Sequence, residues 1–288
     1  MDYRKYVIAL REKAGVGPKT FQQLVSAFGS PENIYKVGLE EIQKLPRMNP
    51  AKAERIFASQ DKLSEIEEHI LFLEELGIGI LTILDDNYPS ILKKIDDPPP
   101  LLYYKGKFPL KKQSSIALVG TTQPTEEGKK EAILLGKALA SRGVMVVSGL
   151  AKGIDKESHM GALIGEGKTY AVLGNGLGNI YPKENIHLAK EISENGALLT
   201  EYPLNVPVNV GQLMSRNRII VGLSQAVIVV ETRPDAKGVI DAGQRAKDQG
   251  KPVFLVKKEG FLSDPHWKDV GALIIRGVQD LNLVLNYL

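Results

Sequence analysis

From residue 114 onward, short apolar runs alternate with longer amphipathic stretches. The runs are rich in Val, Ile and Leu and are apolar on both faces, which is typical of a parallel sheet covered by helices on each side. Seven candidate strands are IALVG from 116, VMVVSG from 144, TYAVLG from 169, ALLTEY from 197, AVIVVET from 226, PVFLVK from 252 and ALIIRG from 272. The pattern predicts a doubly wound, mostly parallel, Rossmann-like α/β domain over residues 113–288.

The first 65 residues have a different pattern, in which apolar side chains recur at helical spacing. The spacing over residues 1–65 therefore predicts a small all-α domain built from short helices. Residues 66–112 predict a connecting arm that holds the end of a helix, the strand IGILTILD and an extended segment broken by prolines. The Pro98–Pro100 run cannot join a central strand, because proline lacks the N–H that the ladder needs.

Composition narrows the class of protein without identifying it. The chain of 288 residues is 43% hydrophobic and 25% charged, with a formal net charge of +3 and no cysteine. These values are ordinary for a globular protein, and the weak positive charge does not by itself require a nucleic acid. The N-terminus has no signal-peptide pattern and no apolar run is long enough to span a membrane, so a cytoplasmic protein without a membrane partner is expected.

In a doubly wound sheet, ligands bind just beyond the carboxyl ends of the strands. Gly120, Thr121 and Thr122 follow the first strand, where the hydroxyls can contact a ligand and Thr125 can cap the next helix. Ordinary helix-start chemistry explains the same residues equally simply.

The loop SGLAKGID after the second strand predicts either a phosphate cradle or a glycine-rich corner with an exposed lysine. Gly149 and Gly153 permit close backbone approach, Lys152 adds positive charge, and Asp155 is a candidate N-cap for the helix that follows. Backbone N–H groups at such a helix start can bind an anion.

Three further loops are candidates. The glycines of NGLGNIYP do not have the dinucleotide spacing, but Asn175 and Gly176 can line a groove. In SRNRIIVGLS, Arg216 and Arg218 flank Asn217 and diverge by about 200° on a helix, so one can face the cleft while the other holds a neighbouring loop. The alternative for these arginines is a solvated polar face. Lys237 and Gly238 follow the fifth strand.

Catalytic groupings are scarce, and neither a metal site nor a cofactor is expected. The four histidines lack metal-ligand spacing, and the Ser nucleophile elbow G-x-S-x-G is absent. His159 is more simply a packed helix residue than a catalytic base.

The N-terminal stretch GVGPKT predicts a second, weaker contact. Gly15 and Gly17 form a two-glycine hairpin, Pro18 suits the start of a helix, and Lys19 lies in the first turn. Such hairpins expose backbone N–H groups to a phosphate, although a simple helix–helix turn has the same residues.

Together these motifs resemble the DprA/Smf family of DNA-processing proteins. The matching segments are VVSGLAKGID, HMGAL, AVLGNGLGNIYPKEN, LLTEYP and SRNRIIVGLS, in that order, and GVGPKTFQQLVSAFGS resembles a helix-hairpin-helix (SAM-like) element. The resemblance implies a non-enzymatic protein that binds and protects single-stranded DNA, loads the recombinase RecA in DNA uptake and recombination, and forms a homodimer. It places the DNA at the strand-end loops and the paired arginines.

Several features depart from the family pattern. The first loop reads Gly120-Thr121-Thr122 where the family has G-S-R, and Leu213-Met214 replaces an aromatic-proline pair that could stack on a base. The loop NVPVNVGQ carries no basic residue, and a C-terminal winged-helix domain, which many members carry, is not expected. The helix-hairpin-helix half LPRMNPAKAERI lacks the usual glycines.

A nucleotide-binding protein is the alternative interpretation. The same sheet resembles that of nucleoside-phosphate phosphoribohydrolases, whose motif P-G-G-x-G-T-x-x-E is broken here in RPDAKGVIDAG. Nucleotide binding without cleavage therefore stays open, as does a sensor or scaffold role for the same pocket.

Overall fold

The computed structural model describes residues 3–108, 113–257 and 265–288 of the chain. Residue 112, where the sequence predicts the end of the connecting arm, lies outside the described residues. Among the described helices, none combines the length and the apolar character that a bilayer-spanning segment requires.

Packing divides the chain into two units, each with buried apolar residues of its own. The first unit consists of Met1–Tyr88 and Asp97–Tyr103, and the second consists of Pro89–Asp96 and Tyr104–Leu288. The domain boundary that the sequence predicts at residue 65 remains a proposal.

The first unit is mainly helical. Its helices are α1 (Arg4–Ile8), a π-helical turn (Ala9–Lys13), α2 (Pro18–Phe28), α3 (Pro31–Ile34), α4 (Leu39–Gln43), α5 (Pro50–Ala58), a 3-10 turn (Ser59–Lys62) and α6 (Leu63–Glu75). The strand β1 (Ile78–Thr82) follows α6. Proline occupies the first turn of α2, α3 and α5, where its missing N–H costs no helical hydrogen bond.

Residues 89–106 are more regular than the sequence indicated. The residues predicted as a broken extended segment contain the short helix α7 (Ser90–Lys93) and the strand β2 (Leu101–Gly106). The strand begins immediately after Pro100, so the proline run ends before a ladder is needed.

All seven strands predicted from residue 114 onward are present. They are β3 (Ser115–Gly120), β4 (Met145–Ser148), β5 (Thr169–Val172), β6 (Ala197–Thr200), β7 (Ala226–Glu231), β8 (Val253–Val256) and β9 (Leu273–Ile275). Their spatial order is β6-β5-β4-β3-β7-β8-β9. Every adjacent pair in this order is parallel, which confirms the predicted doubly wound sheet.

The helices between and after these strands cover both faces of the sheet, as parallel strands require. They are α8 (Glu126–Ala140), α9 (Ile154–Ile164), α10 (Ile186–Asn195), α11 (Val210–Gly222), α12 (Lys237–Asp248), α13 (Pro265–Asp269) and α14 (Leu281–Leu285). Ile116 and Leu118 of β3 pack with apolar residues of α8, α9 and α14 on one face. The alternate strand residues, such as Ala117 and Val227, are equally buried, on the face that α11 and α12 contact.

Candidate nucleic-acid interface

A cleft opens where the order of the strands reverses. From β3 the chain runs outward through β4, β5 and β6 on one side, and through β7, β8 and β9 on the other. The carboxyl ends of β3 and β7 therefore flank a crevice, which is the usual ligand site of such sheets. The register between these strands shifts after Val119, and the cleft there has a volume of about 480 Å³.

Most of the strand-end residues singled out in the sequence meet in this cleft. Ten of them line it: Gly120, Thr121, Thr122, Gly149, Lys152, Asp155, Arg216, Asn217, Lys237 and Gly238. Gly153 lies directly behind the lining, where a Cβ would stand 2.5 Å from the carbonyl oxygen of Thr121. Asn175, Gly176 and Arg218 do not line the cleft.

The first loop of the cleft is held by Glu231 at the end of β7. Its carboxylate accepts hydrogen bonds from the backbone N–H and the hydroxyl of Thr125, the latter at 2.9 Å. The Thr125 hydroxyl in turn accepts from the N–H of Gly128 at 3.1 Å, so Thr125 caps α8 as predicted. The Thr121–Thr122 loop is therefore fixed between β3 and β7.

In the loop at residues 148–155, two backbone N–H groups that could bind an anion are already bonded to a side chain of the same loop. The helix begins one residue before Asp155, with Gly153 as its N-cap at a φ of 72°, so the predicted capping role of Asp155 is wrong. Instead, the Asp155 carboxylate reaches back and accepts from the N–H groups of Gly149 and Ala151, at 3.2 and 3.4 Å. The carboxylate thus fills the space that a bound phosphate would share with those amides.

Arg216 forms the floor of the cleft and is buried. Its guanidinium donates to the carbonyl oxygens of Gly149 and of Val172, the second at 2.7 Å. Its Nη2 lies 3.7 Å from the Asp155 carboxylate. Burial raises the pKa of Asp155, and the charge of Arg216 opposes that rise. A Cβ at Gly149 would lie 2.2 Å from the guanidinium carbon, so only glycine permits this contact.

Asn217 and Arg218 point to different neighbours. The Asn217 amide donates to the Gly238 carbonyl at 3.0 Å and to Asp241 at 2.9 Å, which joins α11 to α12 beside the cleft. Arg218 is buried and paired with Glu201. Asn175 is also buried, and its backbone carbonyl accepts a hydrogen bond from the Thr200 hydroxyl at 2.8 Å.

Cations surround the mouth of the cleft. Lys152, Arg233 and Lys237 line it with exposed side chains. Lys152 is 2.9 Å from Glu184, and Arg233 donates to the Gln123 side chain at 2.9 Å. Among the described residues, the Lys237 ammonium has neither a hydrogen-bond nor an ion-pair partner. Arg233 was not predicted from the sequence, although its place just after β7 obeys the strand-end rule.

Backbone donors accompany these cations. Within the described stretches, the N–H groups of Lys152, Gly153 and Gly238 have no hydrogen-bond acceptor. Gly238 lies in the first turn of α12, a helix of 12 residues whose N-terminus carries partial positive charge. The mouth of the cleft therefore offers charge and hydrogen-bond donors suited to an anion.

The N-terminal hairpin has the predicted geometry. Gly15 has a φ of 66°, and Gly17 precedes α2, whose first residue is Pro18. Lys19 is exposed in the first turn of that helix. In the second half of the motif, Arg47 takes up a φ of 60° where a glycine would be expected.

Metal binding has no support in the described part of the chain, where no group of three or more His, Cys, Asp or Glu side chains is arranged to hold an ion. His159 is buried, and desolvation lowers its pKa to about 3. Its Nδ1 forms a 2.7 Å hydrogen bond with the Thr169 hydroxyl. His159 is thus a packed residue, as predicted.

Comparison with known families matches both parts of the chain. Residues 79–281 match the family described as DNA recombination-mediator protein A, and residues 9–59 match the SAM-like helix-hairpin-helix tandem. The chain is 35% identical to the DNA processing protein DprA of Streptococcus pneumoniae over 98% of both proteins. It is 40% identical to DprA of Bacillus subtilis over 71% of this chain and 68% of that protein. It is 33% identical to Protein Smf of Synechocystis over 91% of this chain and 66% of that protein.

Two solved structures of DNA processing proteins also resemble this chain. The crystal structure of DprA from Streptococcus pneumoniae superposes with a TM-score of 0.81 and 33% identity, covering 97% of both chains. DNA processing protein A from Helicobacter pylori, which binds single-stranded DNA, superposes with a TM-score of 0.65 and 29% identity, covering 73% of this chain and 97% of that one. With a family match over more than half of its length, this chain belongs to the DprA/Smf family of DNA-processing proteins.

Proposed function

We propose that the protein binds single-stranded DNA in the cleft, through its phosphates, and does not cleave it. The observation that carries this proposal is the ring of three exposed cations, Lys152, Arg233 and Lys237, around a concave site at the strand-order reversal. The unbonded amides of Lys152, Gly153 and Gly238 supply further donors to a phosphate. The Helicobacter pylori relative, which binds single-stranded DNA, gives independent support.

The remaining predicted residues have supporting positions in this proposal. Arg216 holds the loop of Gly149 against the ends of β4 and β5, and Asn217 ties α11 to α12. Asp155, one of the two carboxylates that line the cleft, is held by backbone amides and Arg216.

Three cations set the expected strength of binding. Each phosphate that is neutralised on a single strand contributes about −0.7 to the slope of log K against log salt, so the cleft alone predicts a slope of about −2. Contacts made to phosphates carry little sequence information, so base preference should be small.

The test is fluorescence anisotropy of a labelled oligothymidine at several salt concentrations. Lys237→Ala should weaken binding and make the slope shallower by about 0.7. Lys190→Ala removes an exposed lysine of α10 that does not line the cleft and should leave the slope unchanged. Equal slopes for the wild type and both variants would place the DNA elsewhere. Competition by a free mononucleotide as strong as that by the strand would favour a nucleotide-binding protein.

Protection of the strand, its delivery to RecA, a homodimer and a cytoplasmic site of action complete the proposal, and they rest on the family to which the chain belongs. RecA filament formation on DNA coated with single-strand-binding protein measures delivery. The protein should accelerate it, and the Lys237→Ala variant should do so less. Light scattering of the purified chain measures the oligomeric state.

A further inference from the structure

The cleft contains more than a phosphate needs. Between its cationic edges lies an apolar wall made by Leu213, Met214 and Ile220 of α11 and by Val239 and Ala242 of α12. A phosphate gains nothing from apolar side chains, whereas a nucleobase gains from burial against them. This wall indicates that a base, as well as the backbone, enters the cleft, an inference that rests on the proposed function.

Tyr181 is the aromatic residue that lines the same cleft. It comes from the loop between β5 and α10, far in sequence from Leu213 and Met214, and its side chain is 46% exposed. A half-exposed ring at the edge of a cleft is a surface on which a base can stack.

The loop that carries Tyr181 is held in place on both sides. The N–H groups of Gly176 and Gly178 donate to the carbonyls of Val206 and Leu204, both at 2.9 Å. Beyond the tyrosine, the Asn185 amide donates to the Leu150 carbonyl at 2.9 Å, which ties this loop to the Lys152 loop. A ring on an anchored loop loses little conformational entropy when a ligand binds.

Tyr181 also lies beside a phosphate-binding cation. Both residues line the cleft, and the Lys152 ammonium is 2.9 Å from Glu184, which lies three residues beyond Tyr181. One nucleotide can therefore place its phosphate on Lys152 and its base on the neighbouring ring. We propose that Tyr181 is the base-stacking residue of the cleft and takes the role that Leu213 and Met214 cannot fill.

The test separates the base from the backbone. Anisotropy titrations compare an oligothymidine with an abasic strand of the same length, for the wild type and for Tyr181→Leu and Tyr181→Phe. Tyr181→Leu should weaken binding of the oligothymidine by roughly 5- to 150-fold and leave the abasic strand unaffected. Tyr181→Phe keeps the ring and should bind like the wild type.

His187→Leu is the matched control, because it removes an exposed ring from the following helix that does not line the cleft. It should bind both strands normally. Equal loss on both strands by Tyr181→Leu, or no loss on either, would overturn the stacking role while leaving the proposed function intact. If the wild type bound neither strand at low salt, the proposed function itself would fall, and the stacking role with it.

Discussion

At the scale of single residues, Arg216 links three parts of the cleft. It donates to carbonyls at the ends of β4 and β5 and faces the buried Asp155 carboxylate. A buried arginine in this position stabilises the loop around Gly149 more than it attracts a strand from solution. Removal of one member of such a pair leaves the other charge buried without compensation.

Arg216→Ala should therefore lower the free energy of unfolding by about 3–5 kcal/mol. Urea unfolding measures this loss. Adding Asp155→Asn to the variant should recover part of it, because the orphaned carboxylate is then gone. A stability equal to that of the wild type would mean that Arg216 is dispensable for the fold.

In the proposed complex, Glu184 would compete with DNA for Lys152. The two side chains are about half-exposed and 2.9 Å apart, and an exposed pair of this kind is worth about 0.2–1 kcal/mol. Glu184→Gln should therefore tighten binding of single-stranded DNA by about 1.5- to 5-fold in anisotropy titrations at low salt. Glu191→Gln, an exposed glutamate of α10 outside the cleft, is the matched control. Weaker binding by Glu184→Gln would contradict a phosphate contact at Lys152.

Residue types after the strands were sufficient to find ten of the residues that line the cleft, because the strand-end rule depends only on local pattern. The partners of those residues were not predictable. Asp155 binds backward to Gly149 because the helix begins one residue earlier than its sequence suggests. Tyr181 enters the cleft only through the folding of a long loop, so no local spacing relates it to Leu213.

At the scale of elements, α9 is joined to the sheet by a buried polar contact. His159 bonds to Thr169 of β5, and its Nε2 has no hydrogen-bond partner in the described structure. Desolvation keeps the ring neutral and lowers its pKa from 6.5 to about 3. The His159 ring therefore stays neutral in the folded protein at pH values below 6.5, where the same ring in the unfolded chain binds a proton.

This linkage predicts a pH-dependent stability. The contribution of His159 is fully present above pH 6.5 and is lost as the pH falls toward 3, at about 1.4 kcal/mol per pH unit. His159→Gln cannot titrate, so the difference in unfolding free energy between the wild type and this variant should shrink steadily from pH 6.5 to 4.5. Urea unfolding at several pH values measures it. A difference independent of pH would show that His159 is not kept neutral by the fold.

Strands were predictable because runs that are apolar on both faces have few alternatives to a covered parallel sheet. The elements between residues 89 and 106 were not predictable in this way. Prolines there suggested an irregular arm, yet β2 begins at Leu101, directly after them. Helix α7 has four residues, too few for a periodic pattern to form.

At the scale of the whole molecule, the first unit adds a second region that can contact DNA. The hairpin of Gly15 and Gly17 is the predicted phosphate contact of this unit, and Lys19 is exposed beside it. A long strand that engages both units gains effective concentration, whereas a short one engages a single unit at a time.

Lys19→Glu should therefore weaken binding of long strands more than binding of short oligonucleotides. Anisotropy with two strand lengths measures the difference, and Lys44→Glu, an exposed lysine outside the first hairpin, is the control. Equal loss on both lengths would argue against a separate contact in the first unit.

The central claim is that single-stranded DNA occupies the cleft where the strand order reverses. Photo-crosslinking of a strand that contains 5-iododeoxyuridine, followed by mass spectrometry of the attached peptides, tests it most directly. The predicted crosslinks fall in peptides that line the cleft, foremost the one that carries Tyr181 and the ones that carry Leu213 and Lys237. Crosslinks confined to peptides outside the cleft would contradict the account.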